Sequence, residues 1–215
     1  MKKAFLSAAL LILAFPKCSF WPLAWLAFIP LFSEVQTSKH FRTSAFYFYA
    51  CGFLFFFTST EWLRHVSVFG WFFVAFVYPV YFLIFGIAVH WFLKRAPVLL
   101  SLFAIPSAWA VLEWIRTEIP SWSFGWNLLA YSQAPSFTVI HFARSFGAYG
   151  VSWFVLFGNL SLFFLIERAR KRKVKKAAAI LVSFAAVVAL LEIFSAHTVQ
   201  ACPRASRSLE HCNID

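Results

Sequence analysis

The sequence is dominated by long apolar runs that few charged residues interrupt. Of its 215 residues, 62% are hydrophobic and only 13% are charged, whereas soluble domains are roughly half apolar and a quarter charged. Backbone polar groups inside a bilayer need partners within their own segment, so such runs are typical of membrane-spanning helices. The sequence therefore predicts an all-α, polytopic transmembrane helix bundle of about seven spanning or partly embedded helices, with a short extracytoplasmic tail.

Charges, glycines and prolines divide the apolar sequence into seven segments. They cover residues 4–15, 20–32, 44–63, 69–93, 98–115, 148–166 and 177–194. The first two are shorter than the roughly 20 residues that a bilayer requires, and prolines interrupt them, so they are expected to be tilted or partly embedded helices. The helical domain is expected to cover residues 1–195, and residues 196–215 are expected to form the tail.

Most of the positive charge lies in the connections that alternate crossings place on one side of the membrane. With a cytoplasmic N-terminus, 13 of the 19 Lys and Arg fall inside, including the dense run over residues 168–176. This bias predicts seven crossings, a cytoplasmic N-terminus and an extracytoplasmic C-terminal tail. The net charge of +11 therefore indicates topology and contact with anionic lipid head groups. No nucleic-acid partner is expected, because the charge is not interleaved with aromatic residues on a soluble platform.

Two short motifs place a Glu and an Arg three residues apart. E-W-L-R covers residues 61–64, and E-W-I-R covers residues 113–116. Side chains at this spacing share one face of a helix, so each Glu can pair with its Arg, while the Trp between them suits the membrane interface. One interpretation is a helix end held at the lipid head groups. The other is a polar site inside the membrane, where ionisable side chains usually face the bundle interior or a water-filled cavity.

The polar-aromatic segment, residues 119–133, follows the second motif and is the best candidate for chemistry or recognition. Its characteristic side chains are Trp122, Trp126, Tyr131 and Gln133. One interpretation is a surface loop whose aromatic side chains lie on lipid. The other is a re-entrant or lid-like arm, which is tolerated at membrane depth only where protein or a polar cavity covers its backbone.

The cysteines and histidines do not predict a metal or cofactor site. Four Cys and six His are scattered without the spacing of metal ligands, so neither a metal nor a cofactor is expected. Cys51 lies inside an apolar segment and is expected to be a small core residue. Cys202 and Cys212 in the tail can form a disulfide in an oxidising compartment. The tail has too little core to hold a catalytic thiol with its base, so nucleophilic catalysis there is not expected.

Three passages carry longer motifs. The first is A-F-P at residues 14–16, followed by W-P-L-A-W-L-A-F-I-P-L at residues 21–31. The second is E-W-I-R at residues 113–116, followed by F-G-W-N-L-L-A-Y-S-Q at residues 124–133, and the third is G-A-Y-G-V-S at residues 147–152. Together they resemble the apolipoprotein N-acyltransferases, membrane enzymes that add the third acyl chain to bacterial lipoproteins. The family's second passage usually reads F-P-W and G-Y-S-Q where this chain has F-G-W and A-Y-S-Q.

The resemblance implies a multi-pass helix bundle in the bacterial inner membrane that carries an extracytoplasmic nitrilase-like domain. In that family a Glu-Lys-Cys triad takes an acyl group from a phospholipid as a thioester. It then passes the group to the amino group of a lipoprotein's N-terminal diacylglyceryl-cysteine. The partners implied are a phospholipid acyl donor, a lipoprotein N-terminus and the membrane.

The triad has no counterpart after the seventh segment. The chain is therefore expected to be the membrane half of such an enzyme and inactive by itself. It is expected to be a truncated product, the result of a mis-predicted gene end, or one part of an enzyme whose nitrilase-like domain is separately encoded. The resemblance also implies a lipid-entrance site at the outer leaflet, where acyl chains approach the catalytic domain. The residues expected to shape this entrance are Glu113, Arg116, Trp126, Tyr131 and Gln133.

Two other classes of function are compatible with the same pattern. One is a small transporter or channel whose pathway is lined by Glu61, Arg64, Glu113 and Arg116. Against it, segments three to seven lack the matched, Gly/Pro-broken helices that mark many transporter sites. The other is a non-catalytic membrane scaffold.

Overall fold

The computed structural model describes residues 1–119 and 123–170, and every regular element within those residues is helical. The α-helices are α1 (Lys2–Ala14), α2 (Ile29–Thr37), α3 (Phe41–Ser59), α4 (Val68–Val77), α5 (Pro79–Arg95), α6 (Val98–Glu118) and α7 (Phe137–Arg170). Short 3₁₀ helices cover Trp21–Trp25, Glu61–His65 and Leu129–Gln133.

The structure confirms the all-α membrane fold, with six of the seven predicted segments inside the described residues. Within the part of the chain that the structure describes, three helical stretches are long and apolar enough to cross a membrane: Val68–Arg95, which joins α4 and α5, Val98–Glu118 and Phe142–Arg170. With 13 and 9 residues, α1 and α2 are shorter than the roughly 20 residues of a spanning helix. The predicted seventh helix, most of the basic run and the tail with Cys202 and Cys212 lie outside the described residues.

The segment predicted as a single helix over residues 20–32 is instead broken. A 3₁₀ helix covers Trp21–Trp25, and α2 begins only at Ile29. Each of the two helices carries a proline in its first turn, Pro22 and Pro30. Proline suits the first turn because the N–H that it lacks has no partner there, whereas inside a helix it removes a hydrogen bond. Two prolines at this spacing therefore favour two helix starts over one continuous helix.

The side chain of Asn159 in α7 forms hydrogen bonds with backbone groups at this break between the two helices. Its Oδ1 accepts from the Phe28 backbone N–H at 2.9 Å, and its Nδ2 donates to the Ala24 carbonyl at 2.8 Å. Both Phe28 and Asn159 are fully buried, where a backbone group without a partner would cost about 1–3 kcal/mol. The side chain thus stabilises an irregular backbone inside the bundle.

The core is built from aromatic side chains packed between neighbouring helices. Trp109 of α6 makes edge contacts with Phe28, Phe82 and Phe85, with ring centroids 5.2, 4.9 and 4.8 Å away. Cys51 is also buried in this core, as expected. Aromatic pairs in this geometry add about 0.5–1.5 kcal/mol beyond the area that they bury. The many phenylalanines therefore serve packing between helices as well as contact with lipid.

Helices α3 and α5 form the most extensive helix–helix contact among the described elements, and two glycines bring them together. Gly52 of α3 faces the Phe82 ring, and Gly86 of α5 faces the Phe48 ring. A Cβ on either glycine would lie 2.8 Å from the nearest atom of the opposing phenylalanine. Small residues at helix interfaces let backbones approach closely in membranes.

Helix α7 contains a kink at Gly147, where φ is 66° and ψ is −176°. This backbone conformation is essentially restricted to glycine. The predicted helix over residues 148–166 begins at this kink and extends to Arg170. The preceding part, from Phe137, turns the chain from the polar-aromatic segment into the bundle.

The bundle has two chemically different ends. At the basic end, Lys3 pairs with Glu34 at 3.0 Å, and Lys94 donates to the Gln36 carbonyl at 2.9 Å. At the aromatic end, α3 and α6 finish, and the polar-aromatic segment lies against the 3₁₀ helix Glu61–His65. The contacts at the basic end bring together lysines that the predicted topology also placed on one side of the membrane.

Candidate functional site

The two Glu-Trp-x-Arg motifs adopt different environments. Glu61 is half-buried and Arg64 is exposed. They form an ion pair of 3.4 Å, and Lys17 adds a second contact to Glu61 at 2.9 Å. The hydrogen bond and charge of Lys17, with the charge of Arg64, hold the pKa of Glu61 below its ordinary value. Glu113 and Arg116, in contrast, are both only 3% exposed. The first motif therefore matches the helix-end interpretation, and the second is a buried polar site.

Arg116 holds the backbone of the polar-aromatic segment. Its Nη1 donates to the carbonyls of Phe124 at 2.9 Å and Trp126 at 2.7 Å, and its Nη2 lies 3.5 Å from the Asn127 carbonyl. The Arg116 guanidinium also lies 5.5 Å from the centre of the Phe56 ring, a distance at which the cation and the ring attract each other. The buried Arg116 side chain thus donates hydrogen bonds to backbone carbonyls that lie outside any regular helix.

Glu113 binds the same segment from one helical turn earlier. Its Oε1 accepts from the Leu129 backbone N–H at 2.7 Å. Glu113 and Arg116, both within the described residues, do not form the direct ion pair that their spacing allows. Each instead binds backbone groups of the polar-aromatic segment, while the opposite charges on one turn of α6 still compensate each other in the apolar interior.

Gln133 joins the end of the polar-aromatic segment to the broken second segment. It is 1% exposed, and its Oε1 accepts from the Trp25 indole N–H at 3.0 Å. Its Nε2 donates to the Trp21 carbonyl at 3.2 Å and to the Ser132 hydroxyl at 2.9 Å. Glu113, Arg116 and Gln133 therefore share one task, which is to fix the segment on the bundle.

Trp126 and Tyr131 point away from the bundle. Their exposed fractions are 58% and 41%. The Trp126 ring packs against Trp62, itself 41% exposed, with ring centroids 5.3 Å apart. Trp62 and Trp126 form an exposed aromatic pair, and Tyr131 is a further exposed aromatic side chain of the same backbone segment. Trp122, the remaining aromatic residue of the segment, lies outside the described residues.

Three further side chains hold the segment: Asn127 and Ser152 lie in the motif passages but were not expected as site residues, and Ser59 lies in neither passage. Asn127 Nδ2 donates to the Ser59 hydroxyl at 2.7 Å, and Asn127 adopts a positive φ of 60°, which asparagine tolerates better than most residues. The Ala130 backbone N–H donates to the Ser152 hydroxyl at 3.0 Å. Ser59 and Ser152 lie 68 and 22 residues from their partners, so local spacing could not have identified them.

The arrangement combines a rigid support with an accessible aromatic surface. Lipid head groups and the upper parts of acyl chains favour indole and phenol rings at the membrane interface. A backbone fixed by buried hydrogen bonds keeps such rings in one position, which lowers the entropy lost when a ligand binds. The site is therefore suited to holding an amphipathic ligand.

Comparison with known proteins identifies the bundle. The family model of the apolipoprotein N-acyltransferase N-terminal domain matches residues 7–161, which include the broken second segment and the polar-aromatic segment. The chain is 28% identical to the apolipoprotein N-acyltransferase of Chlorobaculum tepidum over 170 residues, which make up 76% of this chain and 31% of that protein.

Two other relatives agree. The chain is 28% identical to the apolipoprotein N-acyltransferase of Geobacter metallireducens over 179 residues, or 76% of this chain and 33% of the relative. It is 37% identical to the apolipoprotein N-acyltransferase of Coxiella burnetii over 82 residues, or 38% of this chain and 16% of the relative. The chain thus spans about a third of the length of the curated relatives that it matches most widely. The chain belongs to the apolipoprotein N-acyltransferase N-terminal domain family.

Proposed function

We propose that this chain is the membrane part of an apolipoprotein N-acyltransferase. Such an enzyme transfers an acyl chain from a phospholipid to the N-terminal diacylglyceryl-cysteine of bacterial lipoproteins. The observation that carries the proposal is the family match over residues 7–161. All three relatives described above bear the name of this enzyme. Because the chain covers about a third of the longer matches, acyl transfer is proposed from the name of those relatives. The phospholipid donor and a nitrilase-like catalytic domain are proposed from the motif resemblance.

The five residues of the proposed lipid entrance divide into two roles. Trp126 and Tyr131 are exposed, and we assign them contact with the phospholipid or the lipoprotein's acyl chains. Glu113, Arg116 and Gln133 are buried and act through the backbone that they hold, so we assign them positioning roles. This division supports the entrance hypothesis because a lipid-binding surface needs both accessible apolar groups and a fixed backbone.

We place the aromatic end on the extracytoplasmic side of the bacterial inner membrane, because lysines and arginines concentrate at the opposite end. Cys18 is exposed near the aromatic end and provides a natural probe. With Cys202 and Cys212 replaced by serine, a membrane-impermeant maleimide should label Cys18 in intact cells. A Lys39→Cys variant that also carries Cys18→Ser should be labelled only after the membrane is permeabilised. The opposite pattern would reverse the proposed orientation.

Trp126→Ala is expected to lower acyl transfer about ten-fold, since truncating a tryptophan that contacts a ligand commonly costs more than about 1 kcal/mol of binding energy. The assay uses a fusion in which the full chain replaces the matching third of the Geobacter metallireducens relative. It measures the transfer of a labelled acyl chain from phospholipid to a diacylated lipopeptide, with the unfused chain as a baseline.

Trp91→Ala is the matched control for this experiment. Trp91 is 49% exposed, similar to Trp126, but it lies on α5 near the basic end. Its replacement should leave transfer by the fusion within about two-fold of the parent, less than about 0.5 kcal/mol. Equal rates for Trp126→Ala and the parent fusion would refute the entrance assignment, as would equal losses in the two tryptophan variants.

A further inference from the structure

Two buried polar atoms on one face of α6 have no hydrogen-bond partner among the described protein groups. They are Nε1 of Trp109 and Oε2 of Glu113. The two residues are four positions apart, so their side chains are neighbours on the helix surface. The Ser152 hydroxyl and the Trp109 indole are both close enough to interact with the carboxyl group, but neither reaches the geometry of a direct hydrogen bond to Oε2.

Leaving these two groups without partners would be costly. A buried N–H without a partner costs about 1–3 kcal/mol, and a charged group costs more. Glu113 is 3% exposed and Trp109 is 5% exposed, so bulk solvent does not cover either side chain. Glu113 Oε1 is already bound to the Leu129 N–H, which leaves Oε2 as an acceptor. The site therefore presents one donor and one strong acceptor to the same space.

A small cavity opens at this point between α3, α5, α6 and the polar-aromatic segment. Its polar lining comes from Tyr81, Trp109, Glu113, Arg116 and Asn127. The space holds about one water molecule, and a buried water usually makes about three hydrogen bonds to polar groups. A lipid head group or a lipid ester does not fit a space of this size. The lining, in contrast, offers the mixture of donors and acceptors that a single water uses.

We infer that this cavity is a binding site for one ordered water, which accepts a hydrogen bond from Trp109 Nε1 and donates one to Glu113 Oε2. The remaining proton and lone pair of the water face the other polar groups of the lining. The water completes the coordination of the carboxylate and thereby helps to hold Glu113 against the polar-aromatic segment. The inference goes beyond the proposed acyl transfer and does not depend on it.

The test observes the Trp109 indole proton directly. The full chain is prepared with ¹⁵N-labelled tryptophan in a detergent micelle, and the Trp109 resonance is assigned by its loss in Trp109→Phe. Trp109 is expected to show a cross-relaxation peak at the water frequency. Trp71 is the internal control, because it is also buried and its indole N–H already donates to the Phe57 carbonyl at 3.0 Å. Trp71 should show no such peak.

Variants separate a bridging water from the alternatives. Glu113→Gln retains an acceptor oxygen and should keep the peak, whereas Glu113→Leu should lose it. Tyr81→Phe removes the phenol hydroxyl that lines the cavity, and the peak should survive this change, because water and not an exchanging phenol is its source.

Absence of the peak in the unmutated chain would overturn the inference. So would through-bond coupling between the Trp109 indole and the Glu113 carboxyl group, which would demonstrate a direct hydrogen bond. If Glu113→Leu does not fold, the spectrum of the unmutated chain still decides the matter.

Discussion

Arg116→Ala is expected to destabilise the purified chain by about 3–5 kcal/mol, the range seen when one member of a buried charged couple is removed. The change deletes the donors to the Phe124 and Trp126 carbonyls. It also leaves Glu113, which is 3% exposed, without the opposite charge on its own helix turn. The measurement is thermal unfolding in detergent, where the midpoint should fall by roughly 10 °C, given about 2–4 °C per kcal/mol for a chain of this size.

Arg64→Ala is the matched control, because it removes the same side chain from the other Glu-Trp-x-Arg motif. Arg64 has a side chain that is 49% exposed and an ion pair of 3.4 Å with Glu61. Exposed ion pairs contribute about 0–1 kcal/mol, so the unfolding midpoint should move by no more than a few degrees. Similar shifts in the two variants would contradict the different roles that the structure assigns to the two motifs.

Gly86→Val is expected to destabilise the bundle by about 3 kcal/mol, the upper part of the range for overpacking a filled interior. A Cβ at this position would lie 2.8 Å from both Cβ and Cγ of Phe48. Cβ is fixed to the backbone, so α3 and α5 must separate to admit it. The same thermal measurement in detergent reports the effect.

A double-mutant cycle with Phe48→Ala tests whether the clash with Phe48 causes the loss of stability in Gly86→Val. Phe48 is fully buried, so Phe48→Ala alone should also be destabilising. If the clash with Phe48 is the reason, Gly86→Val should cost much less in the Phe48→Ala background, with a coupling of more than about 1 kcal/mol. Strictly additive effects would show that Gly86 matters for some other reason than the approach of these two helices.

The side chains of the family's motif divide into a buried group and an accessible group. The charged and amide side chains of the family's motif are buried, and they act on a backbone that has little regular structure. The aromatic side chains of the same motif are accessible. A substitution at Arg116 is therefore expected to impair folding and function together, whereas a substitution at Trp126 is expected to impair function while the bundle remains folded. This difference separates positioning residues from contact residues by experiment.

Several features were predictable because they depend on composition and local spacing. Long apolar runs require helices inside a bilayer, since backbone groups find no other partners there. The start and end of α6 and the end of α5 follow from charges and prolines at their boundaries, whereas the separation of α4 from α5 before Pro79 was not predicted. The polar-aromatic segment was identifiable because an apolar sequence contains few stretches of that composition. The resemblance of the chain to the acyltransferase family was also recognisable from its sequence motifs, and the family match confirms it.

Other features depend on contacts between distant parts of the chain. The break within residues 20–32 is stabilised by Asn159, more than 130 residues away from its partner Phe28, so no local pattern could show that the break would be tolerated. The two Glu-Trp-x-Arg motifs lie in opposite environments, because the polar-aromatic segment covers only Glu113 and Arg116 of the second motif. Whether a residue is buried depends on which other parts of the chain pack against it, and its spacing along a helix does not determine this.

The sequence by itself determined the class of protein, the family and the position of the polar-aromatic segment, because the hydrophobic effect and helix geometry act on neighbouring residues. Only the tertiary structure decided that Glu113, Arg116 and Gln133 turn inward to hold that segment, while Trp126 and Tyr131 remain accessible. The physical reason is that a buried charge is stable only where the fold supplies its partners, and those partners come from helices far apart in the chain.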